Sequence, residues 1–380
     1  MSRALRWGGM LVAVTLVVSL LNAPTTAAAE IQVRWHRSIG ARLAAVATDG
    51  TGRTVVAGST RKAGAGRVLV RSLANDGTRL WMNTWRPTAD SFTHGWAIDI
   101  GPAGRVLVAG DVWTPMDFDA PTTWFVRAYS RAGRVLWSRL APGWRDGSRS
   151  ASAAGVAAWP DGVVLAGSVC GEGGCEGGWI RSYTLDGSLR WVRSIGGIHG
   201  WAEDVAVTSA GVVYVTGGFK ASTWKPPGEG DHPFVTMLRP DGTKVWTRRF
   251  AGREGFGSAI DVRRGGAVVS SVTSSGTRTK LVSLHADGSK RWLKAWRGRR
   301  INDVEVARTG RIWVTGRHGL SDRHAALFLR AYRPDGTLAD TWLRDPGDLA
   351  TWGTGVSVDP LGVSLVGSWA GHGRVWRLRT

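Results

Sequence analysis

The sequence is poor in cysteine, with two in 380 residues, and poor in lysine, with seven. Tyrosine occurs four times. No long apolar run follows residue 21, and no segment after it shows the three-to-four-residue periodicity of an amphipathic helix. Each scarcity excludes something. Two cysteines cannot staple a disulfide-dense scaffold. The missing apolar runs exclude a helical membrane protein, since a span needs about 20 such residues. The missing helical period leaves an all-β chain.

What is abundant is glycine, at 53, and tryptophan, at 22. Charged residues make up 21% and hydrophobic ones 43%, a globular composition. The first 29 residues read as a secretory signal: Arg3 and Arg6, an apolar stretch over 10–21, then small residues at Ala27 and Ala29 before Glu30. The expected mature chain is exported, soluble and monomeric. In such a chain Cys170 and Cys175, flanking GEGG, read first as a local disulfide. The formal net charge is +20, nearly all of it from arginine. Such a surface attracts anionic polymers, wall polymers and nucleic acids among them. The basic residues are spread over the whole chain, so a compositional bias toward arginine is an equal reading.

A phrase ending in tryptophan recurs: NDGTRLW to Trp81, RAGRVLW to Trp137, LDGSLRW to Trp191, PDGTKVW to Trp246, ADGSKRW to Trp292 and PDGTLADTW to Trp342. The intervals are 56, 54, 55, 46 and 50 residues, and Trp35 lies 46 before Trp81. A period in this range marks a repeat architecture. Each unit holds four short alternating segments, the first two joined by a glycine turn and the last two by an Asp-Gly turn, which is the pattern of antiparallel hairpins. The last unit, 353–380, has three segments, and IQVRWHRS at 31–38 is a lone fourth. Joined, they complete a seventh blade. The expected fold is all-β, a single seven-bladed β-propeller over residues 30–380, closed by its N-terminal strand.

The phrase AEDVAVTSAGVVYVTGGF (202–219) and its echoes resemble the seven-bladed β-propeller repeat (SBBP) of exported bacterial proteins. More loosely, the units are similar to quinoprotein (PQQ-type) repeats. The first resemblance implies the fold and no particular activity. The second would imply a quinone cofactor, but this chain has seven units where that family usually has eight, and its cysteines are not adjacent.

Strand order puts the short turns on one end and the variable loops on the other, where function is expected. His-Gly-Trp-Ala occurs there twice, at 94–97 and 199–202, with Phe256-Gly257 and Trp352-Gly353 in the matching place. The expected ligand-binding residues are His94, Trp96, Trp113, His199, Trp201, Trp224 and Trp352, aromatic faces suited to a glycan or to groups on an anionic polymer. Packing between blades is the alternative for all of them. Asp99, Asp204, Asp261 and Asp303 are expected to share one inner-strand position and to accept hydrogen bonds between blades; a Ca²⁺ ion there, or at Asp117 and Asp119, is the alternative. His318 and His324 fall in one loop and read as solvated. No G-x-S-x-G or H-E-x-x-H motif occurs, so no catalytic residue and no cofactor is assigned. The expectation is a binding or scaffold protein for an envelope polymer, glycan or protein partner. The alternative is an enzyme at the same mouth, either a metal-dependent lyase or hydrolase or a quinone-dependent dehydrogenase.

Overall fold

Each Asp-Gly turn does two jobs, and together they order the chain. The aspartate accepts the N–H two residues on, as Asp76 does from Thr78, Asp241 from Thr243 and Asp335 from Thr337. The glycine adopts a left-handed φ, 83° at Gly77 and 80° at Gly242. These turns join the third and fourth strands of a blade.

The computed structural model describes residues 31–62, 65–113, 122–142, 150–171, 174–195, 199–220, 231–250, 255–262, 265–273, 275–319, 325–345, 350–369 and 372–380. They form seven four-stranded antiparallel sheets, each in chain order from the inside out. The inner strands of blades 1 to 7 are Arg42–Thr48, Phe92–Ile100, Ser150–Trp159, Gly200–Val207, Phe256–Val262, Arg299–Val306 and Trp352–Asp359. Blade 7 takes its outer strand, Gln32–Ile39, from the other end of the chain; it pairs with His372–Arg379 from Gln32–Arg379 to Ile39–Gly373. This is the closure expected from the sequence. Second strands form the blade cores; residues 163–166 (VVLA) are fully buried. No helix among the described residues is long and apolar enough to cross a membrane.

The repeated tryptophan is a clasp between blades. Its indole N–H donates to the carbonyl of the next blade's turn: Trp35 to Asn75, Trp81 to Arg131, Trp137 to Leu185, Trp191 to Pro240, Trp246 to Ala286 and Trp292 to Pro334, all at 2.7–2.9 Å. The ring lies flat on the glycine of that turn, where a Cβ would come within 2.6 Å at Gly133 and 2.8 Å at Gly77. Two residues further along the outer strand, Arg139 and Arg193 bond the same glycine's carbonyl at 3.0 and 3.1 Å. Part of the positive charge is therefore committed to structure.

Blade 6 departs from the sequence reading. The register places Asp340, not Trp342, where the other blades hold the clasp. The reason is topological. Blade 7 has no turn between its third and fourth strands, because they come from opposite ends of the chain, so there is no carbonyl to receive an indole. Asp340 pairs instead with Arg311 in its own blade. Trp342 is buried, and among the described residues its N–H has no partner.

Blade 7 also encloses an ion pair. Arg377, fully buried, donates to Asp359 at 2.6 Å and to Ser364 at 3.1 Å. Removing one partner strands a charge away from water. Asp359→Ala is expected to destabilise the protein by about 3–5 kcal/mol, read from the urea midpoint. A change below about 1 kcal/mol would show that water reaches the guanidinium.

Candidate functional site: the channel mouth

All seven inner strands carry a β-bulge at the same place against the second strand, between Leu43 and Ala45, Gly95 and Ala97, Ala153 and Gly155, Ala202 and Asp204, Gly257 and Ala259, Ile301 and Asp303, and Gly353 and Gly355. A bulge leaves one residue outside the pairing register and re-aims its side chain. The seven bulged residues are Ala44, Trp96, Ala154, Glu203, Ser258, Asn302 and Thr354, and all line the central channel, a cavity of 240 Å³.

Three of them face sideways as well. Ser258 donates to the Ile301 carbonyl at 3.3 Å, Asn302 to Gly353 at 2.7 Å and Thr354 to Leu43 at 3.0 Å, each to the next blade. Ala44 and Ala154 only leave room. That isolates two side chains. Trp96 is 46% exposed, with its N–H held by Asp111 at 2.7 Å. His94 lies beside it at 5.0 Å between ring centres and meets the other oxygen of Asp111 at 3.1 Å. Glu203 turns instead to its own blade, where it accepts from the Trp201 N–H. Burial pushes its carboxyl up to about 7, against the pull of the Trp201 N–H bonded to it and of the Arg300 charge.

Below the bulges the carboxylates form two tiers, not the single ring expected. Asp204 and Asp303 sit one residue past the bulge and accept the Ile260 and Val356 N–H of the next blade at 2.8 and 2.7 Å. Asp99 and Asp261 sit three past it and accept from Ala158 and Val306 at 2.8 and 2.6 Å. Glu305, also three past, accepts from Val358. Burial raises Asp99, and it raises Asp303 to about 7. Asp204 and Glu305 lie well above the ordinary range, mainly from burial, with the neighbouring carboxylates adding to it. No group of three or more His, Cys, Asp or Glu poised for a metal occurs among the described residues. Asp117, Asp119 and His324 lie outside them. His318 is exposed at a strand end, its pKa lowered by partial burial and by Arg299 and Arg330.

The two copies of His-Gly-Trp-Ala are not equivalent. The bulge aligns Trp96 with Glu203, so the second copy is displaced by two residues, and His94 matches Trp201. Trp201 lies against Gly218, with Phe256 at 6.1 Å. His199 precedes the inner strand with φ 68°, its carbonyl accepting from Lys220. Trp352 is half-buried on the rim of blade 7. Trp113 stacks on Phe92 at 5.0 Å where their paired strands end and begin. Trp224 is outside the described residues. The structure thus brings His94, Trp96 and Trp201 to the mouth and adds Glu203 and Asp111, which sequence reasoning passed over. Cys170 and Cys175 face each other across a hairpin with their sulfurs bonded.

Fold and mouth together define the chain as a seven-bladed β-propeller with an acidic channel. No protein-family model matches it, and no curated protein sequence does. Among solved structures it is similar to Raptor of Chaetomium thermophilum, at 11% identity and a TM-score of 0.59, covering 91% of this chain and 29% of that one. The WD40 β-propeller domain of Doa1 aligns at 10% identity and 0.57, covering 91% and 96%. Chaetomium thermophilum Sqt1, solved with the N-terminus of the ribosomal protein L10, aligns at 14% and 0.51, covering 90% and 97%. Likeness at such identity concerns the fold alone.

Proposed function

We propose that the chain is an exported propeller, as the SBBP resemblance implies, which binds a glycan at the mouth of its channel. The observation that carries this is Trp96. A bulge turns it out of the sheet, Asp111 fixes its N–H, and its face stays open across the mouth from Glu203. A preorganised indole beside hydrogen-bonding groups suits the apolar face and hydroxyls of a sugar. Among the described residues no Arg or Lys lines the channel, which makes the mouth unsuited to the anionic polymer that net charge alone suggested. Their commitments to backbone N–H groups give no support to metal- or quinone-dependent chemistry. The leader pattern at the N-terminus and the Cys170–Cys175 bond support export.

In a screen of soluble glycans, Trp96→Ala is expected to weaken the detected binding at least about tenfold while changing stability by no more than about 0.5 kcal/mol. Unchanged affinity would sink the proposed surface. A second reading, a protein partner inserting a basic terminus toward Glu203, draws on Sqt1 and its bound peptide. A mouth blind to glycans but sensitive to Glu203→Gln in partner binding would favour it.

A further inference from the structure

Seams between blades are filled largely from the third strand. Two register positions there face the preceding blade, and in blades 2, 3 and 6 they hold arginine and tyrosine. Arg127 lies 4.8 Å over Trp85 of blade 1, and Arg181 lies 4.9 Å over Trp124 of blade 2. In blade 4 the same positions are Thr236 and Leu238. Blade 5 has Val282 and Leu284, but there Trp246 and Phe250 pack against the gap. Before blade 4 Trp191 and Ile195 hold the matching places against Leu238, beside the gap that Thr236 leaves. A cavity of 860 Å³ opens between blades 3 and 4.

Its chemistry is two-sided. Ile195, Phe219, Phe234 and Leu238 give it apolar walls, and among the described residues no carboxylate lines it. Thr236 and Thr247 satisfy each other at 2.8 Å and leave little to hold water. Arg249 and Lys244 stand on the outer strand, opposite Phe234 and Leu238. Arg249 lies 4.3 Å over Phe219. Arg193 is already held by the Gly242 carbonyl.

We infer that this seam binds a single-chain amphiphile with a carboxylate head, the chain against Ile195, Phe234 and Leu238 and the head on Arg249. The size is that of ordinary ligand pockets, about 300–1,000 Å³. Apolar walls account for the chain, and an exposed guanidinium, in a lining that holds no acid among the described residues, accounts for the head.

The test titrates dodecanoate, below its micelle-forming concentration, into the full chain, reading displacement of a fluorescent fatty-acid probe. Saturable binding at one site is expected. Thr236→Arg restores the residue that blades 2 and 3 carry, so it should fold with unreduced melting temperature and weaken binding at least about tenfold. Arg249→Ala should weaken it about tenfold, and dodecyltrimethylammonium should fail to compete. Trp96→Ala should leave dodecanoate binding unchanged, which separates this site from the channel mouth. Non-saturating uptake, full binding by Thr236→Arg, or equal competition by the cationic amphiphile would overturn the inference. Binding to anionic phospholipid vesicles without binding to free dodecanoate would overturn the free-acid assignment.

Discussion

A chain lacking Gln32–Ile39 is expected to lose its cooperative unfolding transition and to aggregate. Two effects add. The deletion removes Trp35 and Ile39, 8% and 1% exposed, worth about 3–5 and about 2–5 kcal/mol when lost from a core. It also uncovers the edge of His372–Arg379, an unpaired strand that invites association. The sum is comparable to the whole stability of an ordinary domain, about 5–15 kcal/mol. The converse variant strengthens the same seam. Ser38 and Arg374 are cross-strand partners, so Ser38→Cys with Arg374→Cys should form a disulfide spanning nearly the entire ring. In the chain-entropy account, a loop of that size stabilises by about 6 kcal/mol. Scanning calorimetry with and without reductant reads it; an unchanged melting temperature would mean that the ends do not meet.

The second large effect is with pH. Asp303 and Glu203 are raised to about 7, and Asp99, Asp204 and Glu305 are also raised. A carboxyl whose folded pKa exceeds its unfolded value holds its proton more tightly in the fold. Stability is therefore greatest below about pH 4 for these groups and falls as pH rises through 7, the share from Asp303 and Glu203 levelling off above it. Asp303 alone contributes on the order of 4 kcal/mol across that window, at about 1.4 kcal/mol per unit. The exposed turn aspartates act oppositely, but their pKa values are lowered by turn hydrogen bonds and they titrate below it. His318 also opposes the trend, so the comparison is made against a variant. Asp303 uses both oxygens, one for the Val304 N–H and one for Val356. Asparagine offers one oxygen and turns an NH₂ toward the other donor. Asp303→Asn is expected to cost about 1–3 kcal/mol at pH 5 and to flatten the decline between pH 5 and 7.5, in thermal melts followed by circular dichroism. A wild-type profile rising with pH through that interval would refute the burial of these carboxyls.

The seven units, their strand order and the closure were legible because turns and strand alternation act locally. Asp-Gly and a following tryptophan declare a hairpin and its partner surface within ten residues. Register was not legible. Alternation repeats every two residues, so a displacement by two keeps every side chain on its own face, and His-Gly-Trp-Ala at 199–202 concealed such a displacement. The bulge that breaks the tie lies in the pairing of two strands, not in either alone. Trp342 misled for a related reason: its phrase is two residues longer, and only the missing turn of blade 7 explains Asp340. Glu203 carried no local signal, since its importance comes from Ala44 and Ala154, which stand aside on other blades.

The shared bulge has a consequence for how such a ring diversifies. Seven residues reach the axis from outside the ladder, so exchanging one disturbs neither the strand pairing nor the cores behind it. The ring offers seven seats in a single collar, three of them tied to the next blade and four where new selectivity is reachable one seat at a time without rebuilding the frame.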